Sequence, residues 1–178
     1  MNKGTTVAIA LLVLAVAVCL LGVWMSSVGN DAARSRAALA ELQQTVDSLR
    51  GLAPGLGEYM STVQLHAAKL WFAGQAFNWK LAKFEVDELG ETMETAEALH
   101  ARRNDVDISI VLLSVRKAQL PLFEQSIAKR SLSDFDDTYR QLLAACNSCH
   151  HAAGYAYIQI ITPTREPVTN QQWKGSDR

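Results

Sequence analysis

Two cysteines and a histidine near the end of the chain have a spacing that could bind a cofactor covalently. They form a C-x-x-C-H pattern in which Cys146 and Cys149 are followed directly by His150. Two thiols three residues apart can form thioether bonds to the two vinyl groups of one porphyrin, and the next residue is then held beside the iron. The pattern therefore predicts one covalently attached haem c, with His150 as the proximal iron ligand.

Other uses of these cysteines fit the sequence less well. A thioredoxin-like redox pair needs a βαβ unit, and the sequence pattern predicts no strands. A zinc site needs further ligands, and the third cysteine, Cys19, lies in an apolar run near the N-terminus. A disulfide bond between Cys146 and Cys149 would be poorly placed within a helix.

Two residues upstream could supply a sixth iron ligand. His66 lies on the apolar stripe of a helix predicted over about 58–76. In an antiparallel bundle its level would match that of His150, if the last helix extends to about Ile158. We therefore expect His66 to be the sixth ligand, with Met60 as the alternative and an open or water-bound iron as the third option.

Five further residues are weaker candidates for the haem site. Trp71 and Trp79 lie near the predicted turn between the first two bundle helices, where core packing is expected and lining of a haem pocket is the alternative. Arg165 or Lys69 could pair with a haem propionate, because a guanidinium or ammonium group binds carboxylates. His151 is turned by about 100° from the predicted iron ligand and is expected to face solvent or a propionate.

Four segments carry apolar residues at spacings of three and four, the period of amphipathic helices. After the helix over about 58–76, one is predicted from Asn78 to about His100, one over about 106–129, and one from Ser133 past the cysteines. Short connections join them, so the predicted fold class is all-α, with an antiparallel four-helix bundle over 57–161. The tail, 162–178, contains two prolines and is predicted to be extended.

The N-terminal part of the chain is apolar enough to enter a membrane. The run 7–25 has 19 residues without a charge, which as a helix would span about 28 Å, close to the roughly 30 Å hydrocarbon core. Cleavable signals have apolar regions of only about 7–15 residues, so we predict a retained transmembrane anchor over 1–29.

A stalk helix and linker are predicted over 30–56, with Asn30 or Asp31 as the cap of a helix that runs to about Leu49. Its apolar residues follow a short coiled-coil pattern with steps of 3, 4 and 3: Leu39, Leu42, Val46 and Leu49. This seam favours packing against the helix's own domain, with a homodimer as the alternative.

Composition excludes other classes of protein. The 17 basic and 18 acidic residues give a net charge of −1, so no nucleic-acid partner is expected, and 49% hydrophobic residues exclude a disordered chain. Six acidic residues lie along the second bundle helix and are expected to form a solvated face, or alternatively a docking surface for a basic redox partner. They are Glu85, Asp87, Glu88, Glu91, Glu94 and Glu97.

A four-helix bundle with C-x-x-C-H near the end of its last helix resembles the class II c-type cytochromes, the group of cytochrome c-prime and cytochrome c556. The resemblance implies haem attachment outside the bacterial inner membrane, and hence a periplasmic domain. It implies a non-enzymatic protein that passes single electrons between membrane and periplasmic redox partners. The alternatives are a five-coordinate haem protein that binds NO or CO, and an accessory subunit of a larger respiratory or photosynthetic complex.

Overall fold

The computed structural model describes residues 3–175, and the all-α fold class is confirmed apart from one short hairpin. The chain divides into two compact units between Ala53 and Pro54. In chain order the elements are α1 (Lys3–Leu52), α2 (Leu56–Gln75), α3 (Trp79–Glu97), β1 (Arg102–Arg103), β2 (Val106–Asp107), α4 (Ile108–Lys129) and α5 (Leu132–Ala152).

The described residues of the first unit form a single helix up to Leu52, so the prediction of a separate helix that starts at Asn30 or Asp31 is wrong. Asn30 and Asp31 lie inside α1 rather than capping a new helix. The sequence after them is rich in alanine, the strongest helix former, and has no proline to end the helix. The part Leu11–Leu52 is long and apolar enough to cross a membrane, with a mean hydropathy of 2.5 in its most apolar window.

Side-chain caps define where three of the four bundle helices begin. Asn78 accepts a hydrogen bond from the Leu81 amide at 3.1 Å, which confirms its predicted role as the cap of α3. Asp107 caps α4 in the same way. The last helix begins earlier than predicted, because Ser131 accepts from the Asp134 amide and α5 therefore starts at Leu132.

The second unit packs its four helices in sequence order, α2 on α3, α3 on α4 and α4 on α5. Close approach of α2 to α5 is concentrated at one end, where a β-carbon on Gly74 would lie 2.3 Å from the Phe135 ring. Three fully buried aromatic rings fill the core beside this contact, with centroids 5.4–6.4 Å apart: Phe123, Phe135 and Tyr139. Because contact is concentrated at this end, the other end of the bundle has room between α2 and α5.

Two features outside the helices complete the unit. Asn104 and Asp105 both have positive φ, 44° and 63°, as a two-residue hairpin turn between β1 and β2 requires. The sequence analysis did not predict this hairpin. Residues 153–175 form neither helix nor strand, but Trp173 is buried near Phe72, and its carbonyl accepts a hydrogen bond from Asn78 at 2.9 Å. The tail is therefore fastened to the corner between α2 and α3.

Candidate cofactor site

A cavity of about 310 Å³ opens between the bundle helices beyond the aromatic core. At its inner end the Tyr139 hydroxyl donates a hydrogen bond to the Ala67 carbonyl at 3.0 Å, which joins α5 to α2. All four helices contribute apolar side chains to the walls, including Val63, Leu89, Leu112 and Leu142. A largely apolar cavity with few polar groups is typical of a site for a small molecule or cofactor.

The C-x-x-C-H residues lie together on one wall of this cavity. Cys146, Cys149 and His150 all line it, on the last turns of α5. The helix ends at Ala152, earlier than the expected end near Ile158. Gly154 adopts a left-handed φ of +86°, and the next amide bonds back to the His150 carbonyl at 2.7 Å, a Schellman end that only glycine readily allows.

Both cysteines are free thiols in apolar surroundings. Burial, together with the neighbouring Cys149, raises the pKa of Cys146 to about 11, and burial also raises the pKa of Cys149. Cysteines of disulfide oxidoreductases have lowered pKa values, because the thiolate is the nucleophile. Burial at this site therefore shifts both pKa values in the direction opposite to that found in disulfide oxidoreductases.

One ring nitrogen of His150 is held by the backbone. Nδ1 lies 2.9 Å from the Ile158 carbonyl oxygen, which can only accept, so Nδ1 carries the proton. A neutral imidazole protonated at Nδ1 has its lone pair on Nε2. Metal-binding histidines usually have this arrangement, in which the second nitrogen is fixed by a hydrogen bond to a carbonyl or carboxylate. Nε2 is therefore the ring nitrogen of His150 that could bind a metal.

Asn147, within the motif, positions that carbonyl. Its side chain donates to the Ile160 carbonyl at 2.9 Å and accepts from the Ile160 amide at 2.8 Å. These two bonds hold the segment after α5 against the helix, with the Ile158 carbonyl beside His150. The first of the two residues between the cysteines thus has a structural role that the motif pattern does not specify.

We expect Asn147→Ala to lower the free energy of unfolding by about 1–3 kcal/mol, because two hydrogen bonds of about 0.5–1.5 kcal/mol each are lost. Urea denaturation followed by circular dichroism measures this change. Ser148→Ala, at the exposed neighbouring position, is the matched control and should shift stability by less than about 0.5 kcal/mol. Equal effects of the two substitutions would contradict the role of Asn147.

His66, the expected sixth ligand, does not line this cavity. Its Nδ1 instead lies 2.8 Å from Glu85 Oε2 on α3, and the Lys69 ammonium lies 3.3 Å from the other carboxylate oxygen. Glu85 is 0% exposed, so the expectation that it belongs to a solvated acidic face is wrong. His66, Lys69 and Glu85 form a polar cluster between α2 and α3, with the Glu85 carboxylate fully buried at its centre.

The helix levels explain why His66 is elsewhere. The Tyr139–Ala67 hydrogen bond fixes the register of α5 against α2. Counting seven residues from this bond towards the cavity gives Met60 on α2 and Cys146 on α5, so these two residues are level with each other. His66 lies about two turns nearer the aromatic core than Met60 does. Placing the end of α5 six residues too late shifted the expected level by about 9 Å.

Of four other residues predicted for the haem site, one lines the cavity and three do not. Met60 lines the cavity on α2. Trp71 packs on Tyr139 with ring centroids 4.8 Å apart, and Trp79 contacts Phe135 edge-on at 6.1 Å, so both have the core-packing role. Arg165 is exposed, and it does not line the cavity.

Arg103 is a site residue that the sequence analysis missed. It lies in the hairpin, lines the cavity and is exposed, so it marks the rim. Its Nε donates to the Tyr155 hydroxyl at 3.2 Å, and Tyr155 also lines the cavity. The Asn104-Asp105 pair was the available signal, since these residues tolerate positive φ and favour a tight turn there.

Three other acidic residues of α3 form ion pairs with neighbouring basic side chains. Arg116 of α4 donates to Glu97 at 2.8 Å and 3.0 Å and lies 3.5 Å from Glu94. Lys83 lies 2.5 Å from Asp87. The helix therefore presents a mixed surface rather than a uniformly acidic one.

The cavity thus brings together the two thiols, the imidazole of His150, the thioethers of Met60 and Met93 and the guanidinium of Arg103. Such a set could hold an iron porphyrin, since it offers two attachment points, soft and nitrogen ligands and a cation for carboxylates. Comparison with known proteins finds no family model, no curated protein and no solved structure that matches this chain.

Proposed function

We propose that this protein is a membrane-anchored monohaem c-type cytochrome that transfers single electrons between membrane and periplasmic redox partners. The observation that carries the proposal is the placement of the C-x-x-C-H residues along an apolar cavity, with His150 fixed at Nδ1 by the Ile158 carbonyl. A C-x-x-C-H motif on an unrelated surface helix would have neither the cavity nor the oriented imidazole.

Each residue has a distinct role in this proposal. Cys146 and Cys149 would form the thioether bonds, and the Nε2 atom of His150 would be the proximal ligand. Arg103 at the rim would pair with the carboxylates of the porphyrin. Haem supplies a one-electron redox couple when bound, and the apolar walls keep water from it.

Met60 is the better candidate for the sixth ligand. It lines the cavity, whereas His66 is held by Glu85 outside it. A thioether opposite a histidine favours ferrous iron more than a second imidazole does, so the reduction potential would be higher than for a bis-histidine site.

Helix α1 supports the membrane part of the proposal, because Leu11–Leu52 has the length and hydropathy of a membrane-spanning helix. Tethering the haem domain would raise its effective concentration near membrane-bound redox partners. Covalent haem attachment implies, by resemblance to the c-type cytochromes, that the bundle lies on the periplasmic side.

Acid–acetone extraction of the protein purified from a host with haem-attachment machinery tests covalent binding. We expect the haem to stay with the polypeptide, since thioether bonds survive the treatment. The Cys19→Ser variant should retain haem equally, because Cys19 lies in the apolar helix and not at the cavity. Release of free haem from the wild type would overturn the proposal.

We expect Met60→Ala to convert a low-spin spectrum to a high-spin one and to open the ferrous iron to CO, because the substitution removes the thioether that α2 contributes to the cavity level with Cys146. His66→Gln is the comparison variant and should leave the absorption spectrum unchanged. If the wild type already binds CO at the iron, the gas-binding alternative replaces electron transfer. If His66→Gln alone changes the spin state, His66 is the ligand.

A further inference from the structure

The end of α1 beyond the apolar run carries an exposed apolar stripe. Its members recur at steps of 3, 4 and 3, and all are solvent-facing: Leu39 (65% exposed), Leu42 (62%), Val46 (40%) and Leu49 (61%). The intervening residues are mostly polar or alanine. Leaving four large apolar side chains in water is costly, at roughly 1.5–3 kcal/mol each, so the stripe needs a partner.

The stripe has the register of a two-stranded coiled coil. In heptad notation Leu39 and Val46 occupy a positions, and Leu42 and Leu49 occupy d positions. Val46 at a with leucine at both d positions is the combination that favours two parallel strands, and Leu39 fills the other a position. Continued towards the N-terminus along the unbroken helix, the same register places the small residues Ser35 and Ala32 at d and a and Val28 at the next d position.

The charges flanking the stripe fit a second parallel copy. Asp31 occupies a g position and Arg36 the following e position, the pair that meets across a parallel coiled coil. Arg34 also lies 3.6 Å from Asp31 within the helix, so the carboxylate would lie between two cations. No other e or g position from 31 to 50 carries an acidic residue, and these positions bring no like-charged g–e′ pair together.

We propose that a second copy of this chain covers the stripe, so that α1 forms a parallel coiled-coil dimer over about residues 28–49. Two copies inserted in one membrane with the same orientation necessarily run parallel, which is the arrangement that the register and the Asp31–Arg36 pairing require. The inference uses only the membrane-spanning property of α1 and not the chemistry of the haem site.

Cysteine cross-linking in native membranes tests this contact. In a Cys19→Ser background, Leu42→Cys places a thiol at a d position, and Gln44→Cys places one at the outward f position as the matched control. We expect mild oxidation to give several-fold more disulfide-linked dimer with Leu42→Cys than with Gln44→Cys, because d side chains of the two strands meet. Equal cross-linking of the two variants, or a product with a different protein, would overturn the proposal.

A second variant separates dimerisation from folding. Leu42→Glu combined with Leu49→Glu should give monomers by sedimentation in mild detergent, where the wild type should sediment as a dimer. The haem absorption spectrum should stay unchanged, because the bundle is a separate compact unit. If the wild type is a monomer, the dimer is overturned and the proposed cytochrome function is unaffected. If the wild type carries no covalent haem, the cytochrome function is overturned and the dimer is unaffected.

Discussion

Replacing His150 by alanine is expected to remove the low-spin absorption and electron paramagnetic resonance signals of the haem protein. The imidazole of His150 lines the cavity, and its Nε2 atom is left available by the bond from Nδ1 to the Ile158 carbonyl. No other histidine in the described residues lines this cavity. Loss of the proximal ligand should also shift the reduction potential strongly, since axial ligands are a main determinant of haem potential.

His151 provides the matched control for this experiment. It is the next residue on the same helix, but it is exposed and does not line the cavity. His151→Ala should therefore keep the wild-type spectrum and potential. A wild-type spectrum for His150→Ala, or the same loss for both variants, would show that His150 is not the ligand.

Glu85→Ala is expected to lower the free energy of unfolding by about 3–5 kcal/mol, the cost of removing one partner from a buried ion pair. Glu85 is 0% exposed and lies against both Lys69 and His66, whose side chains are themselves mostly buried. Removing the carboxylate leaves the Lys69 ammonium near the core without its partner. Urea denaturation of the wild type and the variant measures the difference.

Two further variants make the Glu85 result specific. Glu91→Ala lies on the same helix at an exposed position and should change stability by no more than about 0.5 kcal/mol. Glu85→Gln keeps the shape and one acceptor but removes the charge, so its effect should fall between the other two. A loss below 1 kcal/mol for Glu85→Ala would contradict a structural role for the cluster.

The His66–Glu85 contact illustrates that periodicity predicts which residues face inward but not which neighbour each of them meets. The spacing of apolar residues on α2 correctly indicated that His66 faces inward, where it is largely buried. Inward-facing positions on one helix meet different neighbours, however, and His66 meets α3 rather than the cavity. Met60, two turns nearer the N-terminus, reaches the cavity instead.

The amino-acid sequence by itself determined the features that depend on local chemistry. The C-x-x-C-H pattern, the four amphipathic helices, the Asn78 cap and the apolar helix near the N-terminus were all predictable from residue types and their spacing. Each depends on interactions within a few residues, such as helix periodicity or a side chain that caps its own backbone.

Only the tertiary structure decided which distant residues share the cavity. The position of α5 along α2 depends on three features: the helix end at Gly154, the close contact at Gly74 and the hydrogen bond between Tyr139 and Ala67. The hairpin then brings Arg103 to the rim. These placements depend on packing between segments far apart in the chain, where a shift of one helical turn, about 5.4 Å, replaces one possible ligand by another.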